Sequence, residues 1–225
     1  MKCGRRQLFL GAFVAMAGMG IGPGMANAAE SSFLGTVEFG SADLGALEQW
    51  QDVLARIALE RKVYEKCEVS FAACSPPALL AWRAMIERLK GKPLLQQIEA
   101  VNKFVNSRPE RGDRDAFGKE DHWASPLEFL EHSGDGEDFA IMKFVSLREL
   151  GVSNQQLRLL VADDALVNRR EVIVVVYDHG RPLFLGSEWG FVAEEKHLPY
   201  HIPYYSMNEE RRWTHHRVLE AAEGE

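Results

Sequence analysis

The sequence has few cysteines and a deficit of positive charge. Only three of its 225 residues are Cys, and 26 Lys and Arg stand against 33 Asp and Glu. An acidic chain is not attracted to nucleic acid or to an anionic membrane, which argues against both as partners. No repeat, low-complexity stretch or second apolar segment follows the N-terminal region. The length suits one domain with a sizeable core.

The first 28 residues contain no acidic residue. Lys2, Arg5 and Arg6 precede an apolar run, and residues 26–28 read Ala-Asn-Ala, with small residues at the two positions that a signal peptidase reads. The run is too short and too glycine-rich to cross a bilayer of about 30 Å as a stable helix. This order predicts a cleavable secretory signal over residues 1–28 and a mature domain over residues 29–225 without a transmembrane segment.

The export route stays open at this point. Arg5-Arg6 before the apolar run resembles a twin-arginine signal, but paired arginines also occur by chance in Sec signals. Cleavage after residue 28 removes three of the 26 basic residues and no acid, which leaves 23 against 33 and a net charge of −10. The predicted location is the periplasm.

The mature chain keeps two cysteines, Cys67 and Cys74. In an oxidising compartment, two cysteines this close favour a disulfide that closes a short loop. A metal site is the weaker interpretation because no His lies near them in sequence. A free nucleophile is weaker still, since no acid–base partner is evident.

Apolar periodicity predicts helices first and strands afterwards. Three amphipathic helices are expected at residues 44–67, 79–89 and 93–105. Residues 30–42 are expected to be irregular, and residues 107–122 to form a polar, solvated loop. After Gly151 the period shortens to that of strands, at residues 157–162, 172–177 and 182–185. Val172–Val176 is apolar on both faces, which predicts a central strand. The order is that of an α+β fold with an antiparallel sheet.

Two helix starts carry clear capping signals. Ser125 precedes Pro126 and is followed three residues later by Glu128, which is a capping box with proline at the first helical position. Asp135 has Asp138 three residues on and begins the best-defined helix of the sequence.

The segments around these helix starts resemble the bacterial transglutaminase-like cysteine peptidases, periplasmic relatives of the protease that releases biofilm adhesins. The resemblance rests on Trp-Ala-Ser-Pro-Leu-Glu-Phe-Leu, Gly-Asp-Gly-Glu-Asp-Phe-Ala-Ile and Leu-Arg-Glu-Leu-Gly at residues 123–130, 134–141 and 147–151, and extends to residues 100–106 and 205–209. It implies a papain-like, transglutaminase-type α+β domain.

That family uses a thiolate at a helix N-terminus, a His base on a neighbouring strand and an Asp that orients the base. The resemblance places these three roles at Gly136, Glu171 and Gly186, and none of them has the required side chain. This implies an exported pseudopeptidase that binds a peptide segment, such as part of an adhesin, or the periplasmic domain of an inner-membrane receptor. Two alternatives remain: a hydrolase with a relocated nucleophile, and a structural exported domain.

Asp135 and Glu137 flank the vacant nucleophile position. In the adhesin-releasing branch of the family the equivalent acids bind calcium, so the resemblance implies Ca²⁺, which suits hard carboxylate ligands. The competing interpretation is that Asp135 caps the helix and Glu137 complements its dipole. Trp123 stands where the family lines its active cleft, although a lone aromatic is more often part of the core.

Overall fold

The computed structural model describes residues 30–31 and 33–217. The predicted signal peptide lies outside these residues and stays a prediction. Within the described part of the chain, no helix combines the length and the apolarity needed to cross a membrane.

Among the described residues, the helices fill the first two thirds of the fold. Their bounds are α1 Glu48–Val69, α2 Pro77–Leu89, α3 Leu94–Asn106, α4 Asp113–Phe117, α5 Pro126–His132 and α6 Gly136–Glu149. Both predicted capping boxes are present, at Ser125 before α5 and at Asp135 before α6. Each box lets two side chains accept hydrogen bonds from the free amides at the start of a helix, and this fixes where the helix begins.

The strands form one antiparallel sheet in the order β1-β2-β7-β6-β3-β4-β5. Their bounds are β1 Glu30–Ser31, β2 Thr36–Ser41, β3 Leu157–Asp164, β4 Arg169–Asp178, β5 Arg181–Leu185, β6 His201–Met207 and β7 Arg212–Arg217. The predicted order of helices followed by an antiparallel sheet is confirmed, and Asp178-His179-Gly180 makes the β4–β5 turn. The helices pack against the sheet, and the fold is of the α+β class.

The prediction that residues 30–42 are irregular is wrong. Strand β2 precedes the helices and pairs with β7 at the far end of the sheet. Glu38 is a charged residue within β2, which disguises the strand pattern in the sequence. Its carboxylate is buried because it accepts two hydrogen bonds from Arg158, at 2.5 and 3.0 Å, in an ion pair. From the sequence alone, a charged residue indicates an exposed position. Its burial in a strand is explained only when its ion-pair partner on β3 is known.

Helix α6 occupies the centre of the molecule. Ten of its 14 residues are buried, so it lacks the one-sided apolar stripe of a surface helix. It packs against α3, β3 and β4, and Ser146 on α6 accepts a hydrogen bond from the indole of Trp82 on α2 at 2.9 Å. The first turn of α6 is thereby held beside the first residues of β4.

Strand β4 is apolar on both faces, as predicted. Val174 and Val176 face the main core with the helices, whereas Ile173 and Val175 face a second cluster that includes Phe184. The strand pairs with β3 on one side and β5 on the other. Burial on both faces explains the uninterrupted apolar run.

A disulfide joins Cys67, in the last turn of α1, to Cys74, with 4.5 Å between the Cα atoms. It closes a short loop, so replacing both cysteines by Ser is expected to lower the free energy of unfolding by about 2 kcal/mol. Urea unfolding of the double variant beside wild type measures this difference. Two free thiols found by non-reducing mass spectrometry of exported wild-type protein would contradict the pairing.

Candidate functional site

A cleft of about 190 Å³ opens between the first turn of α6, the start of β4 and the turn after β5. Ten residues line it: Glu110, Asp135, Gly136, Glu137, Arg169, Arg170, Glu171, Val172, Ser187 and Glu188. Gly136 and Glu171 therefore meet in one cavity, and Gly186 immediately precedes a third lining residue. Positions 35 and 50 residues apart in sequence converge on this site.

Gly136 is the first residue of α6, directly after the capping residue Asp135. Apart from its chain neighbours and the backbone of its own helix, the nearest atom to a Cβ added at Gly136 would be the hydroxyl of Ser187, at 3.9 Å. The place where a side chain at this position would extend is therefore open. The helix start supplies amides and a dipole that would favour a negative group there.

Glu171 is held by two basic groups. Its carboxylate accepts a hydrogen bond from Arg169 at 2.7 Å and lies 3.5 Å from Nε2 of His201. The His201 ring and the Arg169 guanidinium hold the pKa of Glu171 below its usual range. Arg169 also pairs with Glu188 at 2.8 Å. Glu171 is therefore an ionised, ion-paired carboxylate and a weak proton acceptor.

The space beside Gly186 is filled. A Cβ atom at this position would lie 2.5 Å from Cδ2 of the Trp189 indole, far inside contact distance. The carbonyl of Gly186 accepts hydrogen bonds from Lys143 at 2.7 Å and from Asn106 at 3.2 Å. No larger residue fits at position 186 while Trp189 keeps this place.

Trp189 is held in that place from two sides. Its carbonyl accepts hydrogen bonds from Asn102 at 2.8 Å and Asn106 at 2.9 Å, both on α3. Its ring meets the ring of His201 edge to face, with centroids 5.7 Å apart. Lys143 beneath the turn is completely buried, and burial lowers its pKa to about 7.

Three carboxylates gather at the other side of the cleft. Oxygen atoms of Asp113, Asp135 and Glu137 lie within 4.8 Å of one another. Residue 110 pairs with Gly134, and Arg111 N donates a hydrogen bond to Gly134 O at 2.8 Å. These contacts place α4 beside the start of α6. Among the described residues this is the only group of acids, His or Cys with such spacing.

The sequence pointed to Asp135 and Glu137 but not to Asp113. The polar segment 107–122 was expected to be a solvated loop, yet Asp113 is only 6% exposed in helix α4. One of its oxygens accepts a hydrogen bond from the amide of His122 at 2.6 Å. Nothing in the local sequence distinguishes it from the charged residues around it.

The trio has the features of a cation site. Oδ1 of Asp113 and Oδ1 of Asp135 are both buried and find no hydrogen-bond partner in the part of the chain that the structure describes. Burial raises the pKa of Asp113, Asp135 and Glu137, and the Asp135 charge adds to the rise at Glu137. Buried acids that lack a compensating charge are costly, and hard oxygen ligands of this kind suit Ca²⁺.

Asp138 has the structural role that the sequence favoured. It is completely buried and accepts hydrogen bonds from the amides of Ala124 at 2.6 Å and Asp135 at 3.2 Å. Asp138 therefore ties the segment before α5 to the cap of α6. Asp135 both caps the helix and belongs to the acidic trio.

Trp123 is 9% exposed and lies on the α1 side of the molecule. Its carbonyl accepts a hydrogen bond from Arg56 at 2.6 Å, and Trp123 lines two cavities beside the start of α1. It does not line the cleft at Gly136. The role of Trp123 in an active cleft stays a prediction.

Residues 62–217 match the protein family described as bacterial transglutaminase-like cysteine proteinases. The chain belongs to this family. The matched region contains α2 to α6 and β3 to β7, and so it includes every residue that lines the cleft. Comparison with curated protein sequences gives no match.

Solved structures of Legionella pneumophila LapG are similar to this chain. The calcium-bound form is 32% identical with a TM-score of 0.60, over 67% of this chain and 87% of LapG. The EGTA-treated form is 31% identical with a TM-score of 0.58, over 68% of this chain and 84% of LapG. The transglutaminase-type α+β fold is thereby confirmed.

Proposed function

We propose that this family member is an exported pseudopeptidase, which binds a peptide segment or a receptor domain in the periplasm without cleaving it. The observation that carries the proposal is the convergence of Gly136 and Glu171 in one cleft, with Gly186 at its edge. The resemblance assigns these positions to the nucleophile, the base and the orienting residue. Loss of one member of such a set costs several powers of ten in rate, and here none of the three required side chains is present.

The filled position at Gly186 supports the same proposal. A site under selection for catalysis keeps room for the carboxylate that orients its base, whereas here the Trp189 indole occupies that room. Glu171 is ion-paired with Arg169 and lies 3.5 Å from Nε2 of His201, and its lowered pKa makes it a weak base toward a nucleophile. The cleft itself is nevertheless open, which is what a binding protein needs.

We propose Ca²⁺ as the ligand of the acidic trio. Asp113, Asp135 and Glu137 would hold it, with each carboxylate giving at least one oxygen. A bound cation would compensate the buried negative charge and fix the start of α6 relative to α4. The calcium-bound and EGTA-treated states of the similar LapG structures agree with this proposal.

A relocated nucleophile is the competing function, and Ser187 is the residue that it would use. Its hydroxyl faces the vacant space at Gly136 across the cleft. However, His201 lines a different cavity, beyond Glu171, and Glu171 has a lowered pKa that makes it a poor base for a hydroxyl. This arrangement does not activate Ser187.

Turnover distinguishes the two functions. Purified mature protein, incubated with a family adhesin substrate and with a peptide library, is expected to give no cleavage with or without calcium. An active member of the family serves as the positive control. The same peptides recovered intact from a complex, as judged by mass spectrometry, would show binding without cleavage.

Cleavage that survives repurification and disappears in Ser187→Ala would overturn the proposal in favour of the relocated nucleophile. Absence of both calcium binding and peptide binding would instead favour a structural exported domain. The partner can be sought by pull-down from periplasmic extract.

A further inference from the structure

Because Gly136 has no side chain, the cleft is open beside the first residue of α6. The cleft volume of about 190 Å³ is more than ten times the roughly 10–15 Å³ of cavity volume that a single water molecule needs. A Cβ atom at Gly136 would meet only Ser187, at 3.9 Å. The opening is therefore large enough for a side chain that enters from a bound molecule.

The lining of the cleft is strongly acidic. It holds five carboxylates, which belong to Glu110, Asp135, Glu137, Glu171 and Glu188. Asp113 does not line the cleft, but its buried carboxylate adds a sixth beside Asp135 and Glu137, and its Oδ1 has no hydrogen-bond partner in the described part of the chain.

The two guanidiniums in the lining offset only part of this charge. Arg169 is engaged by Glu171 and Glu188, and Arg170 by Asp163 at 3.1 Å and by the face of the Tyr204 ring at 4.6 Å. The six carboxyl groups outnumber the two guanidiniums by four. With a Ca²⁺ ion on Asp113, Asp135 and Glu137, which would hold these three groups in their ionised form, two negative charges remain in excess.

We infer that the cleft binds a basic side chain, lysine or arginine, of a peptide segment that lies across the start of α6. The side chain enters the space above Gly136, and its cationic group lies toward Glu110 and Glu188. This inference rests on the proposed function, since it names the chemistry of the ligand. A neutral or acidic segment leaves the excess negative charge of the cleft uncompensated.

A cysteine at position 136 can report the charge preference directly. In Gly136→Cys, the thiolate attacks a small symmetrical disulfide, forms a mixed disulfide and releases one thiolate of the reagent. Cystamine, which carries ammonium groups, is compared with neutral bis(2-hydroxyethyl) disulfide and anionic 3,3′-dithiodipropionate at saturating calcium. Gln96→Cys on the exposed side of α3 is the control cysteine.

Cystamine is expected to react faster than the anionic reagent by about tenfold or more at position 136, relative to the same ratio at position 96. The ratio should fall with added salt and fall in Glu110→Gln and Glu188→Gln. Glu120→Gln, exposed and outside the cleft, should leave it unchanged. Equal rates for the three reagents, or a ratio unchanged by both cleft variants, would overturn the inference.

A second arm uses the wild-type chain and so does not depend on the folding of a variant. Calorimetry in calcium compares Gly-Ala-Lys-Ala-Gly with the same peptide carrying norleucine in place of lysine, and the lysine peptide should bind at least about tenfold tighter. Equal binding of both peptides overturns the inference but leaves the proposed function intact. No binding of either peptide at millimolar concentration, with turnover still absent, counts against both.

Discussion

Replacing Gly136, Glu171 and Gly186 together by Cys, His and Asp is expected to produce no measurable peptide cleavage. The Asp side chain at position 186 would begin 2.5 Å from the Trp189 indole. Either the indole or the turn after β5 must then move, and the turn is fixed by Lys143 and Asn106. The orienting carboxylate would therefore stand out of place, and a misplacement of about 1 Å can cost about 10²-fold in rate.

Adding Trp189→Ala to the triple variant should make cleavage measurable. Removal of the indole opens the room that the Asp side chain needs, and the hydrogen bonds from Asn102 and Asn106 to the backbone carbonyl of residue 189 are kept. We expect the quadruple variant to cleave a family adhesin substrate at a rate at least about 10²-fold above the upper limit that the triple variant sets. Initial rates, followed by electrophoresis and mass spectrometry of the products, give the ratio.

A matched control replaces the new Cys by Ser in the quadruple variant, which should return the rate to background. Gly136→Cys alone tests whether the helix start is intact, because its thiol should react with iodoacetamide but cleave nothing. If the triple variant is already as active as the quadruple one, Trp189 is not the obstacle. If neither is active although both fold, the supporting contacts around the site have changed further than these four positions.

Local signals in the sequence were enough to predict much of the fold. The capping boxes at Ser125 and Asp135 depend on residues three apart, so they are visible without knowledge of the rest of the chain. The apolar run of β4 is long enough to reveal burial on both faces. The cleft position of Gly136 and Glu171 came from the resemblance, since no local pattern relates two residues on different elements.

What the sequence left out depends on contacts between distant residues. Glu38 is acceptable in β2 only because Arg158, 120 residues away, pairs with it. Asp113 joins the acidic trio only because segment 110–111 runs beside Gly134. Trp189 fills the space at Gly186 because two Asn side chains on α3 hold its backbone. None of these pairings leaves a periodicity in the chain.

Asp113→Asn is expected to weaken calcium binding by about tenfold or more, even though the side chain keeps its shape. Calcium affinity depends on the number of charged oxygen ligands, and this substitution removes one of the three carboxylates while the carbonyl oxygen can still accept from His122 N. Asp135→Asn combined with Glu137→Gln should remove measurable binding. Isothermal titration calorimetry at neutral pH tests both variants beside wild type.

Thermal unfolding separates the cation site from a purely structural role of these acids. Without calcium, Asp113→Asn should be as stable as wild type or more stable, because the substitution relieves repulsion among buried carboxylates. With calcium, wild type should gain stability according to RT ln(1 + [Ca²⁺]/Kd), and the variant should gain less. The order of melting temperatures is therefore expected to reverse between EGTA and calcium.

The matched control is Asp115→Asn, which makes the same change on an exposed position of the same helix. It should alter neither the calcium affinity nor the order of melting temperatures. A merely capping or structural set of acids predicts a different pattern, in which Asp113→Asn and Asp135→Asn shift the melting temperature equally with and without calcium. That result, together with flat calorimetric titrations of wild type at millimolar calcium, would show that the trio holds no calcium. The unpaired oxygens of Asp113 and Asp135 would then need another partner. The basic side chain inferred for the cleft is the first partner to test.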